Sequence, residues 1–203
     1  MITPFPRRTH PPSGGFSVTE VMVVVVIVGI LSAVGINASG NEWRREQVNA
    51  VAIELSGWLE TVRRSALRGN SCAVTINGGS LSAGGTLATA TENTGTAFGS
   101  GAAIGNNCLT GQPLTISGGG SSATSYTIAP SGTTQLTFTP RGTVNATAAD
   151  TPITSPIEIR IALTGSTGPM RCVRISPGLG MVAIGASNTS GTSCPSASYG
   201  GSF

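Results

Sequence analysis

Residues Phe16 to Ile36 read FSVTEVMVVVVIVGILSAVGI and carry a single charge, Glu20. This stretch constrains the fold more than any other. From Val21 onward it is apolar except for two glycines and Ser32. Its 21 residues match the roughly 20 that a helix needs to cross a bilayer. A lone carboxylate at the edge of such a segment is costly in hydrocarbon and marks a function.

Residues 1–15 precede it. Pro4, Pro6, Pro11 and Pro12 exclude a stable helix there, and Arg7 and Arg8 hold this end on the cytoplasmic side. An ordinary secretory signal is cut after its apolar run, and a plain anchor has no use for Glu20. Here a Gly15-Phe16 step comes before the run. GFSVTE followed by MVVVVIVGILSAVGI resembles the class III signal of type IV pilins and type II secretion pseudopilins. The resemblance implies cleavage between Gly15 and Phe16 by a prepilin peptidase, N-methylation of Phe16, and Glu20 as the fifth residue of the mature chain. Gly29 and Ile30-Leu31 also fall where that family has them. Asn37 stands where major pilins carry a proline, and Gly35 and Gly40 soften the helix around it.

Beyond Asn41 the chain turns amphipathic. Val48, Val51, Leu55, Trp58 and Val62 recur at spacings of three and four and build one apolar helical face. Charged residues from Glu42 to Arg64 cover the rest. Gly69-Asn70 reads as the stop, with Arg63, Arg64 and Arg68 near the negative end of the helix dipole.

After residue 71 the signals are those of strands. CAVTI (Cys72–Ile76), Tyr126–Ala129, Gln135–Thr139, Ile157–Leu163, Arg171–Ser176 and Met181–Ile184 are the expected strands. In IEIRIAL, Ile157, Ile159, Ile161 and Leu163 face one way and Glu158 and Arg160 the other. Pro140-Arg141-Gly142 and Ser176-Pro177-Gly178 mark turns. Residues 77–123 are rich in Gly, Ser, Thr and Asn and read as long loops with one irregular strand. The tail after Ala186 is polar and would be loose without Cys194, whose bond pins it.

A second resemblance is carried by LTFTPRGTVN (Leu136–Asn145), EIRIAL and RCVRISPGLGMV (Arg171–Val182). Together they are similar to the C-terminal half of the GspH/FimT group, pseudopilin H and the minor pilins of type IV pili. Phe138, Pro140 and Gly142, then Val173–Ser176 with Gly178 or Gly180, match its motifs.

Four cysteines, Cys72, Cys108, Cys172 and Cys194, form no CxxC pair, and the lone histidine, His10, lies in the leader. A zinc site would need all four thiolates from scattered loops. In an exported domain they read as two disulfides. Three pairings exist; Cys72–Cys108 and Cys172–Cys194 are preferred because each closes a local loop.

Catalytic chemistry finds no footing. Without a histidine in the mature chain, no serine has a base of the triad kind. The carboxylates after the helix are Glu92, Asp150 and Glu158, read as solvated surface groups. Gly118-Gly119-Gly120 lacks the lysine and helix of a phosphate loop. No metal site and no cofactor are expected. With only 9% charged residues and a net charge of +3 that includes Arg7 and Arg8, the mature chain is near neutral and offers no general polyanion surface.

DNA-receptor members of the group place a Gly-Arg-x-Arg motif after the Ser-Pro turn. Here that position is Gly180-Met181-Val182-Ala183. Arg171 and Arg174 are the weak remaining candidates, and three apart along a strand they point to opposite faces.

The expected fold is therefore α+β. Residues 1–15 form a leader and 16–36 a transmembrane and filament-core helix. Residues 37–70 form the helix's amphipathic half, packed on a small antiparallel β domain with long loops (71–203). The resemblance implies a minor pilin of a type IV pilus, not an enzyme, inserted in a tip or priming complex. Its alternatives are a type II secretion pseudopilin of the H type and a DNA-uptake receptor pilin. The implied partners are other pilins or pseudopilins, the prepilin peptidase and the inner-membrane assembly platform. The implied location is the bacterial inner membrane, single-pass with the head outside the cytoplasm, and then the filament.

Overall fold

A computed structural model describes residues 15–69, 71–93, 108–117, 124–147, 151–195 and 198–199, and of 33–41 the backbone only. The expectations for Arg7, Arg8, His10, Asn70, Asp150 and Gly118-Gly119-Gly120 lie outside the described residues. The chain divides into two compact units, Met1–Gly40 and Asn41–Phe203. One α-helix, α1 (Val18–Ala66), contributes to both, and its backbone runs through Asn37 without a break.

In the first unit Ser17 opens the helix. Its carbonyl accepts from the Glu20 and Val21 amides at 3.0 and 3.2 Å. Glu20 thus sits in the first turn, where the positive end of the helix dipole favours a carboxylate. Every large apolar side chain from Phe16 to Leu31 is more than half exposed, between 51% and 80%.

In the second unit α1 buries a stripe of Val48, Val51, Ala52, Leu55, Leu59, Val62 and Ala66. The stripe corrects one expectation. Leu59, fully buried, takes the place assigned to Trp58, which sits half-buried beside the stripe and donates its indole N–H to the Gln112 carbonyl at 3.4 Å. The amphiphilic indole gains from an edge position, where ring and N–H are both satisfied. The helix closes through the Leu67, Arg68 and Gly69 amides, bonded to the Arg63, Ser65 and Ala66 carbonyls. Gly69 takes a φ of 121°, a conformation that favours glycine at a helix end.

Eleven strands follow among the described residues. They are β1 (Cys72–Ile76), β2 (Gly79–Ser82), β3 (Thr86–Glu92), β4 (Leu114–Thr115), β5 (Ser125–Ser131), β6 (Gln135–Phe138), β7 (Val144–Ala146), β8 (Thr151–Pro152), β9 (Ile157–Leu163), β10 (Met170–Ile175) and β11 (Val182–Ser187). They form two sheets, one ordered β4-β3-β1-β6-β7-β8 and the other β11-β10-β9-β5-β2, and all their pairings are antiparallel. The α+β class holds, with two sheets in place of one. Alternation decides what is buried. Cys72, Val74 and Ile76 from β1, Ile157, Ile159 and Ile161 from β9, and Val173 and Ile175 from β10 join the α1 stripe in one core.

The described residues of 77–123 are more ordered than their composition suggests. Among the described ones lie β2, β3 and β4, where one irregular strand was expected. TLATATE is built of threonine and alanine, so its apolar signal is weak. Yet Leu87, Ala88 and Ala90 are buried, Ala88 to Glu92 pair with β1, and Thr86 and Ala88 pair with β4 across an irregularity. β7 and β8 are too short, at 3 and 2 residues, to show a period. β11 runs on to Ser187 because its small residues pair with β10 in register, Ser187 opposite Met170.

Candidate functional site

Two regions carry the functional candidates. The first is the segment around Gly15, Phe16 and Glu20. All three residues are exposed, Phe16 at 80%, and nothing stands within 4 Å of a Cβ placed on Gly15. The Gly15–Phe16 step lies ahead of the first helical turn, which carries Glu20. Among the described residues no helix is long and apolar enough to cross a membrane. The described side chains of the apolar run stop at Ser32.

The second region is the outer side of β9 and β10. The disulfides are Cys72–Cys108, which closes on β1, and Cys172–Cys194, which ties the tail to β10. Separations of 36 and 22 residues stabilise by roughly 3–4 kcal/mol each through the unfolded chain. The described residues of the tail are held by further bonds. Glu158 accepts from the Cys194 amide at 3.1 Å and from the Tyr199 hydroxyl at 2.8 Å. Arg160 donates to the Ala129, Gly191 and Thr192 carbonyls, the last at 2.6 Å. The Arg174 guanidinium lies 4.8 Å from the centre of the Tyr199 ring, a cation–π distance. Gly185 leaves room for that ring, because a Cβ there would sit 2.7 Å from Tyr199 Cε1. Glu158 is therefore not a solvated surface carboxylate, as its polar strand face suggested. The tail covers it. Burial first, then the bond to Glu158, pushes the Tyr199 phenol well above its ordinary range.

Arg171 and Arg174 do not form a joint patch. Arg171 shares the inward face with Val173. It is 8% exposed, and its Nε donates to Asn49 Oδ1 on α1 at 3.1 Å. Burial, with the Arg45 charge second, pushes its guanidinium below the usual range. Arg174 faces the tail on the other side. The turn that lacks the Gly-Arg-x-Arg motif is shaped by close packing: a Cβ on Gly180 would lie 2.2 Å from Val144 Cγ2, and its φ is 60°. Among the described residues no cluster of His, Cys, Asp or Glu could hold a metal.

Sequence reasoning missed Tyr199 as a partner of Glu158 and Arg174. The available signal was a tyrosine five residues after a cysteine, in a tail whose other residues are small or Pro apart from Phe203.

The family model of the type II transport protein GspH matches residues 51–179. The chain belongs to the GspH family. The match begins inside the buried stripe of α1 and ends at the Leu179 turn, so it takes in β1 to β10 of this GspH-family head. The apolar segment and the covering tail fall outside it. Membership makes the chain a pilin-like structural subunit, of the pseudopilin and minor-pilin kind, associated with the membrane and with other such subunits. No curated protein matches, and no solved structure does.

Proposed function

We propose that this GspH-family chain is a minor pilin of a type IV pilus. In this reading it is cut between Gly15 and Phe16, N-methylated at Phe16, and inserted in a tip or priming complex through α1. One observation carries the reading. From Val18 to Leu31 every large apolar side chain of α1 stands more than half exposed, with Glu20 the acidic residue of its first turn. Such a surface is unstable in water and belongs in lipid or against like helices. Cleavage creates the Phe16 ammonium. In a bundle of these helices that ammonium and the Glu20 carboxylate of a neighbouring subunit neutralise each other, since neither is tolerable alone in an apolar interior. Processing thus licenses assembly, and extraction exchanges lipid for neighbouring helices. The β head follows the anchor in sequence. It is exported, oxidised to its two disulfides, and presented on the filament.

A second reading, a type II secretion pseudopilin of the H type, is favoured by the matched family's own description. Deletion of the gene with complementation separates the two. A minor pilin's loss reduces surface pili and leaves secreted proteins unchanged. A strain that keeps its pili and retains secreted proteins in the periplasm would replace the first reading with the second.

A further inference from the structure

Trp43, Arg44 and Gln47 of α1 face Ser125, Thr164 and Ser166 across a cavity of ≈ 390 Å³. The volume falls in the range of ligand pockets, roughly 300–1,000 Å³. Its lining holds one cation and no carboxylate. The two ion pairs among the described residues join Arg45 to Glu42 and Arg63 to Glu60, so neither uses Arg44. Trp43 is 59% exposed, a large aromatic surface left without cover.

The opposite wall is polar and fixed. Thr164 Oγ1 lies 3.1 Å from Thr127 Oγ1 and 3.4 Å from Ser80 Oγ, and the Thr164 amide donates to the Ser125 carbonyl at 2.9 Å. Ser166 Oγ accepts from the Gly168 amide at 3.0 Å. An unpaired guanidinium, a row of hydroxyls and an indole face, with no acid among them, suit a phosphate ester. The arginine fork and the hydroxyls donate to the phosphate oxygens, and the ring covers the ester's carbon skeleton. In sequence, Trp43 and Arg44 come just after the apolar run. That is the order in which acyl chains and headgroups are met on leaving a bilayer, and Trp is enriched at both membrane boundaries.

We propose that this cavity binds the phosphate of an anionic phospholipid headgroup and so seats the head on the membrane before the subunit is extracted. The proposal rests on the reading that the apolar segment is held in a bilayer.

The test uses the full processed chain with Trp58→Phe, so that Trp43 is the sole indole. It is placed in lipid discs of phosphatidylcholine alone or mixed with phosphatidylglycerol, each carrying a headgroup-attached spin label. The expected result is co-elution with both discs and quenching of Trp43 several-fold stronger in the anionic ones. Arg44→Gln should lose that difference without losing insertion, and Arg44→Lys should keep part of it. Inorganic phosphate added to the protein in neutral detergent should leave Trp43 emission unchanged. A change there would assign the site to free phosphate and overturn the lipid. Insertion with equal quenching in both discs, indifferent to Arg44→Gln, overturns the pocket and leaves the membrane reading standing. Failure to enter either disc overturns the membrane reading, and the proposal with it.

Discussion

The Tyr199 hydroxyl donates to the Glu158 carboxylate at 2.8 Å across 41 residues of sequence. That bond, with the Cys194 amide on the other carboxylate oxygen, joins the tail to the start of β9. Tyr199→Phe removes the donor and keeps the ring over Arg174, at an expected cost of about 1 kcal/mol. Glu158→Ala strands both donors at once, at about 1.5–3 kcal/mol. Urea unfolding midpoints without reductant measure both. Midpoints equal to that of the unsubstituted chain would show that the carboxylate does not hold the tail.

Alkaline pH tests the same contact from its proton. Tyr199 is raised by burial and by Glu158. Tyr126, 2% exposed, is raised by burial and then by the Glu54 charge. A raised folded value means that the native state holds each phenolic proton more tightly than the unfolded chain, whose tyrosines titrate at about 10. The stability this confers is complete below about pH 10 and is lost as pH climbs toward the folded values. The chain has two tyrosines, so phenolate absorbance reports them alone. The expected titration begins above the ordinary range, and structure is lost with it. Two midpoints near 10 in an intact fold would contradict the burial of both rings.

Gly180 and Gly178 separate crowding from backbone strain. Both have positive φ, 60° and 76°, but only Gly180 has a neighbour, Val144, where a Cβ would go. Gly178→Ala meets open space and carries the conformational penalty alone, roughly 1–2 kcal/mol. Gly180→Ala adds overpacking of about 1–3 kcal/mol. Thermal unfolding of the two variants should rank Gly180→Ala well below Gly178→Ala. Equal stabilities would place Val144 elsewhere.

The residues that sequence made legible were those with a strong period or a fixed motif. IEIRIAL alternates between branched apolar and charged residues, and its strand has the expected ends. The helix stripe was legible except at 58 and 59. Adjacent residues there are both large and apolar, and a spacing rule cannot say which one points inward. β3 was hidden because alanine and threonine bury well in a sheet while carrying little apolar signal. Glu158 was misread for a different reason. Alternation shows that it leaves the core, but not that a tail more than thirty residues later returns to cover it. That contact is set by Cys172–Cys194, and the cysteines announce a bond without announcing what lies beneath it.

Arg171 and Arg174 give a prediction of absence with a structural counterpart. Arg171 spends its guanidinium on Asn49, and Arg174 lies over Tyr199. Each phosphate contact made by an arginine adds affinity and salt dependence, and neither residue is free to make one without leaving its partner. Arg171→Ala and Arg174→Ala are expected to leave duplex DNA binding in a gel shift unchanged. Arg171→Ala should lower stability instead, by about 1–3 kcal/mol, by stripping a buried partner from Asn49. Tight binding that both substitutions abolish would revive the DNA-receptor reading.

The proposed cut after Gly15 lies ahead of the helix, and Glu20 lies inside its first turn. On the proposed reading the peptidase step and the assembly step depend on different residues and can be separated. Glu20→Ala should still yield a mature chain whose intact mass begins at N-methyl-Phe16, since nothing at the exposed Gly15–Phe16 bond has changed. It should then fail to enter filaments. A bundled helix would present a Phe16 ammonium with no carboxylate to meet, and an unpaired charge buried in this way costs roughly 3–5 kcal/mol. Glu20→Gln retains the shape and hydrogen-bonding capacity and should fail as well, which assigns the defect to charge. Substitution of the peptidase-side glycine, Gly15→Val, should give the reverse phenotype: an uncut chain in the membrane with Glu20 intact. Immunoblots of sheared filaments and of membranes distinguish the outcomes. Normal incorporation of Glu20→Gln would remove the ion pair from the mechanism, and a mature mass beginning at Met1 would remove the processing step.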